Sequence, residues 1–491
     1  MMQEGIYWQG GMPPAFRLLQ LNVVSGASSG EVHDAIGALW AMLSALRRGE
    51  VNDLRKELRP HDPDVVLNGG DLEVLIGFGA RLFDDEIHSP ALVNKSEQPR
   101  RLKYLRSKNP AAPFNRLKWR DANDPQLDPS QQNSTQSDLA LQFTGNSELT
   151  VNRAIVEVEK AINDQKMPLQ FANFFSGFRR EDKRSWIDFH DGINNMTPEE
   201  RLVAMEVGTT DRSWLKGGTY MSFLRIHVNL ELWRAIPRNV QELVVGRDKL
   251  TACPITDTTQ VSDESPILPV FQGGCPLGHE LPDDMSHEFR SPPQPSDAIA
   301  QTAHIFRSNL NRGSPVQPAN NRIYRQGYEF LESDAKMGLL HGLNFVGFHR
   351  TPKFITDILS QDFWMGDANF GGLEGEDETR PPSIALMELL HGCYYAVPPS
   401  NMPFPGAGLF VEPSDNLVAL GTHSKRTADD SVQAINGIGP VYESLLNEIG
   451  VHTVADLLEF EATSDPFDGE TPEILRIAQS RGWFVDARKL I

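Results

Sequence analysis

Within the first 178 residues the apolar spacing switches repeatedly between the period of two of a strand and the 3.6 of a helix. FRLLQLNVV at 16–24 reads as a strand, and the next segment sets Ile36, Leu39, Trp40, Leu43 and Leu46 on one helical face. LEVLIGFG at 72–79 and SDLALQFTG at 137–145 read as strands, then Val151, Ile155, Val158 and Ile162 mark a second helix. FANFFSGF at 171–178 closes the series. Few folds satisfy this order, because each helix must lay its apolar stripe on the sheet made by its flanking strands.

Strand, helix, strand, strand, helix, strand is the split unit of a ferredoxin-like domain. A less regular copy follows. TYMSFLRIHVNL (219–230), LNFVGFHR (343–350) and GCYYAVPP (392–399) read as strands, with helical patterns near 239–248, 297–310 and 352–360. The predicted fold class is therefore α+β, with two ferredoxin-like halves over 1–175 and 176–425, each an antiparallel sheet flanked by helices. Residues 87–136 and 256–297 are long, Pro- and Gly-containing excursions from this plan. After Gly421 the polar run THSKRTADDS precedes INGIGPVYESLLNEIG. Gly437 and Gly439, set between apolar residues and before a helix, resemble a helix-hairpin-helix motif. A small all-α unit that folds apart from the rest is expected over 430–491.

Charge narrows the partners. The 491 residues carry a formal charge of −20, and residues 430–491 alone hold 11 acidic against 4 basic side chains. A field of that sign opposes phosphate backbones and anionic lipid. The C-terminal unit is thus read as a protein-docking or self-association module rather than a nucleic-acid binder. Three cysteines in a chain this long argue against a disulfide framework and for a reducing, cytoplasmic setting. No apolar run reaches the length of a membrane span.

Three groups of residues could carry chemistry. In SDAIAQTAHIFRSNLNRG, Ser296 can cap a helix whose apolar stripe is Ile299, Ala303, Phe306 and Leu310. His304 lies off that stripe between Ala300 and Ser308, and such small neighbours admit a large flat body; haem held by an axial imidazole is one. In RSWIDFHDGINNM, Asp188, His190 and Asp191 crowd before Gly192. Asp-Gly alone signals only a turn, yet a loop carboxylate there could serve as acid and base, with His190 as an alternative base. In NNRIYRQGYEF, Arg322 and Arg325 flank an aromatic; on bare sequence such arginines are more often structural than catalytic.

Taken in order, a GxxDG-like turn, a later histidine and RIYRQGY resemble the dye-decolourising peroxidase family. QSDLALQFTG, GGTYMSFLRIHVNLELW, QELVVGRDKLTACPI, GLNFVGFHRTPKFI and LMELLHGCYYAVPP fit as well, from about residue 16 to 411. The resemblance implies haem b (iron protoporphyrin IX) bound by the second half, hydrogen peroxide as oxidant and an organic electron donor. It assigns Asp191 as the distal acid, Arg322 as the distal arginine and His304 as the axial iron ligand. It makes Glu388 the acidic partner of that histidine and sets Leu343 and Phe345 along the distal face. Bulky donors would need a surface relay, for which Trp364, Tyr394 and Tyr395 are candidates. The chain departs from the pattern where the first glycine of GxxDG is Asp188. That departure supports a second expectation, a haem-handling protein with little turnover; a third is a scaffold acting through residues 430–491.

Overall fold

The computed structural model describes residues 2–6, 12–50, 59–61, 71–89, 91–102, 136–208, 211–256, 295–296, 298–308, 322–334, 338–359, 386–400 and 402–410, with single positions between 432 and 483. Eight strands are present among them: β1 Ala15–Val23, β2 Glu73–Gly79, β3 Leu139–Gly145, β4 Leu169–Phe178, β5 Thr219–Val228, β6 Tyr324–Asp334, β7 Gly338–His349 and β8 Met387–Val397. They close into one barrel in the order β1-β3-β2-β8-β5-β7-β6-β4.

That circle contains the expected duplication. β4-β1-β3-β2 and β8-β5-β7-β6 are the same antiparallel arrangement, fourth strand beside first, then third, then second. The halves join edge to edge, at Phe78↔Ala396 and Gly79↔Tyr395 on one side and Phe178↔Glu329 on the other. Closure leaves no free sheet edge. Side chains from both halves fill the interior, among them Phe16, Leu18, Phe175, Phe223, Tyr328, Phe348 and Tyr395. Two pairs of polar side chains are joined across strands inside it: Gln142 donates to Gln326 at 2.8 Å, and Arg225 to Asn344 at 2.9 Å.

On the outer face of the first half lie two long helices, α1 Ser29–Arg47 and α2 Glu148–Asp164. Ser28 and Glu31 close a reciprocal cap at the start of α1, and Ser147 caps α2. Among the described residues the second half has only short ones: α3 Pro198–Met205, α4 Leu230–Ala235, α5 Arg238–Val245, α6 Ala298–Gln301, α7 His304–Arg307 and α8 Lys353–Leu359. The single helix expected over 297–310 is thus two turns, broken where Ala303 is extended at φ −62°, ψ 150°. The strand at β6 was not among the expected elements.

Two expectations change. Cys253 is disulfide-bonded, while Cys393 is free and buried, so the reading of uniformly reduced thiols does not hold. Val432, Ile435, Ile438, Leu446, Val451, Val454, Leu457 and Trp483 pack in one apolar cluster with Leu202 of α3. The C-terminal unit therefore shares core with the barrel unit instead of standing apart. Gly437, Gly439, Trp364, Cys275 and the linker at 421–430 lie outside the described residues. Among the described residues no helix is long and apolar enough to cross a membrane.

Candidate functional site

RIYRQGYEF enters strand β6 at Tyr324, and its alternation sorts the motif by face. Tyr324, Gln326, Tyr328 and Phe330 are fully buried in the barrel. Arg325, Gly327 and Glu329 point to the other side, where Leu343, Phe345 and Gly347 of β7 lie opposite them. Of the sequence-derived residues, Leu343 and Phe345 lie on this outer face of the second half.

Asp191 reaches it from the loop after β4. Its backbone N–H donates to the Lys183 carbonyl at 2.9 Å, and Arg184 pairs with His190 across the same hairpin-like turn. Asp188 has φ +66° and Gly192 φ +82°. The aspartate standing where the family pattern has glycine thus adopts the left-handed conformation that glycine would take, and Asp tolerates it better than most residues. The turn is kept. Three hydrogen bonds lace this loop to β6. Asn195 donates to the Arg325 carbonyl at 2.6 Å and accepts from the Arg325 N–H at 3.1 Å, and the Arg325 guanidinium donates to the Ile193 carbonyl at 2.8 Å.

Asp191 is exposed, its Oδ1 accepting the Gly192 N–H at 2.7 Å. A Cβ added at Gly327 would stand 3.0 Å from Asp191 Oδ2 and 3.4 Å from Leu343 Cδ1. Carboxylate and leucine therefore meet over a glycine, and only glycine keeps both in place. The half-buried Arg325 is the cation that Asp191 acts on. Desolvation lowers the guanidinium pKa, the Asp191 carboxylate raises it, and Arg322 lowers it again.

Arg322 is engaged elsewhere. It donates to Glu200 of α3 at 2.7 Å and to the Asn194 carbonyl at 2.7 Å. Of the two arginines, the structure brings Arg325 to Asp191 and uses Arg322 to tie β6 to α3. Sequence reasoning named the motif but not the strand; alternation in R-Q-G-Y-E from Arg325 onward was the signal that separates them.

His304 is half-buried and opens α7. That turn packs on the end of α5, where a Cβ at Gly246 (φ +87°) would meet Ile305 at 2.8 Å and Ala303 at 2.9 Å. The chain beyond Gly246 is tied in turn to the Asp191 loop. Arg184 donates to the carbonyls of Lys249 (2.7 Å) and Leu250 (2.9 Å), and Lys249 pairs with Asp188 at 3.6 Å. The segment at 246–250 thus holds both the histidine turn and the carboxylate loop.

Leu343 and Phe345 are half-buried on the outer face. Glu388 sits in β8 opposite His227 of β5. His190 is half-buried, with its pKa lowered by burial and then by Arg184 and Lys183. His391 lies inside the barrel within 3.0 Å of the Gln20 amide, and burial depresses its pKa to about 3. Tyr395 is also interior, bonded to Gln20 at 2.6 Å and Ser137 at 2.7 Å, so it is no surface relay. Tyr394 is half-buried beside the cluster of Leu224, Leu389 and Phe345. Glu329 is buried on the same face as Arg325 and went unnoticed in the sequence.

Residues 182–402 match a family model described as the C-terminal part of Dyp-type peroxidases. Deferrochelatase of Shigella flexneri serotype 5b (strain 8401) is 24% identical over 221 residues, 43% of this chain and 46% of that protein. Deferrochelatase of Escherichia coli (strain K12) matches with the same identity and coverage. The chain thus spans about half the length of the curated relatives it matches. Among solved structures, a DyP-type peroxidase from Cellulomonas bogoriensis aligns with TM-score 0.54 and 19% identity, over 83% of this chain and 98% of that one. DtpA from Streptomyces lividans, as an oxyferrous complex, aligns with TM-score 0.56 and 17% identity, over 84% and 97%. At such identities the likeness is one of fold.

Proposed function

We propose that the chain is a haem-dependent peroxidase of the Dyp type, reducing hydrogen peroxide with electrons from an organic donor; the match of residues 182–402 to the C-terminal part of Dyp-type peroxidases supports this reading. The observation that carries this reading is the approach of Asp191 and Leu343 over Gly327, on the strand face that also carries Arg325. Haem b fits there on physical grounds. Glycines keep the face flat: a Cβ at Gly347 would press on the Phe345 ring at 2.9 Å, as one at Gly327 would on Asp191. His304 supplies the one side chain on the 298–307 turns suited to axial ligation of iron. The role given to Glu388 rests on the sequence resemblance alone.

Bound haem would supply the iron that takes up peroxide and stores its oxidising equivalents. The chain supplies proton handling. Asp191 is assigned to accept a proton from peroxide and return it to the departing oxygen as water forms. Arg325, rather than Arg322, is assigned to stabilise the developing negative charge, since it shares the face with Asp191. Dyes or phenols are donors of the right class, and Tyr394 replaces Tyr395 as the candidate relay. Residues 430–491 are assigned to protein docking or self-association, their acidic excess opposing nucleic acid.

The test is the absorption spectrum of the purified protein before and after peroxide. A Soret band that shifts supports turnover. A static band supports haem handling without turnover, a reading favoured by the name deferrochelatase carried by the curated relatives. Absence of any band after loading with haem overturns both.

A further inference from the structure

The peroxidase reading leaves one buried acid of this face unused. Glu329 lies two positions beyond Gly327 on the outward side of β6 and is only 6% exposed. Neither carboxyl oxygen has a hydrogen bond of normal geometry. Its strand neighbours are apolar, Leu343 across β7 and Phe178 across β4. The groups acting on it come from the loop after β4: Arg180, Asp182, Asp191 and the backbone of Trp186. His341 of β7 packs its ring against Trp186 at 6.4 Å, and Arg180 lies over the same indole at 5.8 Å.

An ionised carboxylate in that position would lack the hydrogen bonds that make buried charge tolerable. Burial therefore pushes the Glu329 acid up to about 8; Arg180 and the Trp186 backbone oppose this more weakly, and Asp191 and Asp182 add to it. Asp191, by contrast, is exposed to water and its Oδ1 accepts the Gly192 N–H at 2.7 Å. We propose that Glu329 is the second acid of the pocket, a neutral carboxylic acid that keeps Asp191 the charged member of a coupled pair. When Asp191 takes a proton, the repulsion on Glu329 is lifted and its own proton is released more readily. When Asp191 gives the proton up, Glu329 holds its proton again. No proton or electron is consumed over the cycle, so Glu329 tunes Asp191 without replacing it.

The effect on turnover rests on the peroxidase reading; the coupling itself does not. The first measurement is therefore an infrared pH titration of the full-length protein as purified, whatever its haem content. It follows the carbonyl stretch of protonated carboxylic acids in a Glu73→Gln, Glu242→Gln background, because burial also holds Glu73 up, to about 7 against the pull of Arg47, and raises Glu242. A band present at pH 7, lost with a midpoint of about 8 and missing in Glu329→Gln, is the expected result. Asp191→Asn should lower that midpoint by roughly half a unit or more, since a like charge has been removed. A band that survives Glu329→Gln, or a midpoint untouched by Asp191→Asn, overturns the proposal; the second needs no Glu329 variant to fold. In haem-loaded enzyme, the rate with peroxide should show an alkaline limb near the same pH that Glu329→Gln removes. An identical profile in the variant overturns the catalytic part. A protein that binds no haem leaves the infrared result standing, so the two readings fail separately.

Discussion

Replacing Arg325 and Arg322 by leucine, one at a time, separates two roles that the sequence motif leaves merged. Arg325 is half-buried on the Asp191 face, and the Asp191 carboxylate acts on its charge. Deleting a group aimed at developing negative charge typically costs about a hundred- to a thousand-fold in rate. Arg325→Leu should therefore lower the second-order rate constant with peroxide by that factor. It should also cost about 1 kcal/mol of stability for the lost bond to the Ile193 carbonyl.

Arg322 pairs with Glu200 where the two side chains are 16% and 37% exposed. An ion pair that open to water contributes about 0–1 kcal/mol, and the bond to Asn194 adds about 1 more. Arg322→Leu should thus reduce stability by about 1–2 kcal/mol and leave the rate within about tenfold. Stopped-flow absorbance after mixing with peroxide gives the rates, and urea unfolding gives the stabilities. A large rate loss in Arg322→Leu with a normal rate in Arg325→Leu would refute the assignment and restore the arginine named by the sequence resemblance.

Four further outcomes are expected. His304→Ala should abolish the Soret band of haem-loaded protein, and a full band would move the axial ligand elsewhere. Asp188→Gly should stabilise the protein by up to about 1 kcal/mol because a non-glycine residue leaves φ +66°, while Asp188→Val should destabilise it; equal urea midpoints would show no strain at the turn. Between about pH 6.5 and 8, thermal stability should fall as pH rises. Burial holds the folded Glu329 and Glu73 pKa values at about 8 and 7, above the usual 4.5, so the native state keeps protons that the unfolded chain releases. Below about 6.5 the buried His349 and His391, both at about 3, pull the other way, because they charge only on unfolding. A Tm flat across the upper window would contradict those two carboxyl shifts. Truncation after Thr427 should cost about 1.5–3 kcal/mol, the worth of burying Leu202, and an unchanged unfolding midpoint would return residues 430–491 to independence.

The strands of the first half were legible because their alternation is undisturbed and their helices are long and capped. In the second half, β6 was hidden: RIYRQGYEF alternates, but its outward positions are Arg, Gly and Glu instead of plain polar residues. Those are the residues a binding face needs. The turn at Asp191 was legible as chemistry, yet the choice between Arg322 and Arg325 depended on which side of a strand each occupies. Glu329 could be found only once Gly327 and Arg325 were known to share its face. The disulfide at Cys253 and the seat of Leu202 against the C-terminal cluster depend on contacts between distant segments, which periodicity does not encode.

Duplication explains why a site arises in one half and not the other. In both halves the strand order is the same, so each sheet offers an equivalent outer face. On the first, α1 and α2 cover it, and Leu19, Leu21, Val74, Ile76, Leu141 and Phe143 are buried. On the second, the helices are one to two turns long, and Ile226, Leu343, Phe345 and Tyr394 remain only half-buried. Leaving a Leu or Phe half exposed forgoes about 1 kcal/mol per side chain, a cost that the barrel core and the fully packed first half can offset. That face is also where glycines replace side chains at Gly327 and Gly347 and where Asp191 arrives from a loop held by seven named hydrogen bonds and ion pairs to Arg322, β6 and the 246–250 segment. A flat apolar cofactor would complete the burial that the short helices leave undone. Loading with haem should therefore raise the melting temperature, and the gain should shrink in Gly327→Val, whose added methyls would displace Asp191 and occupy the face; an equal gain in that variant would place the cofactor elsewhere.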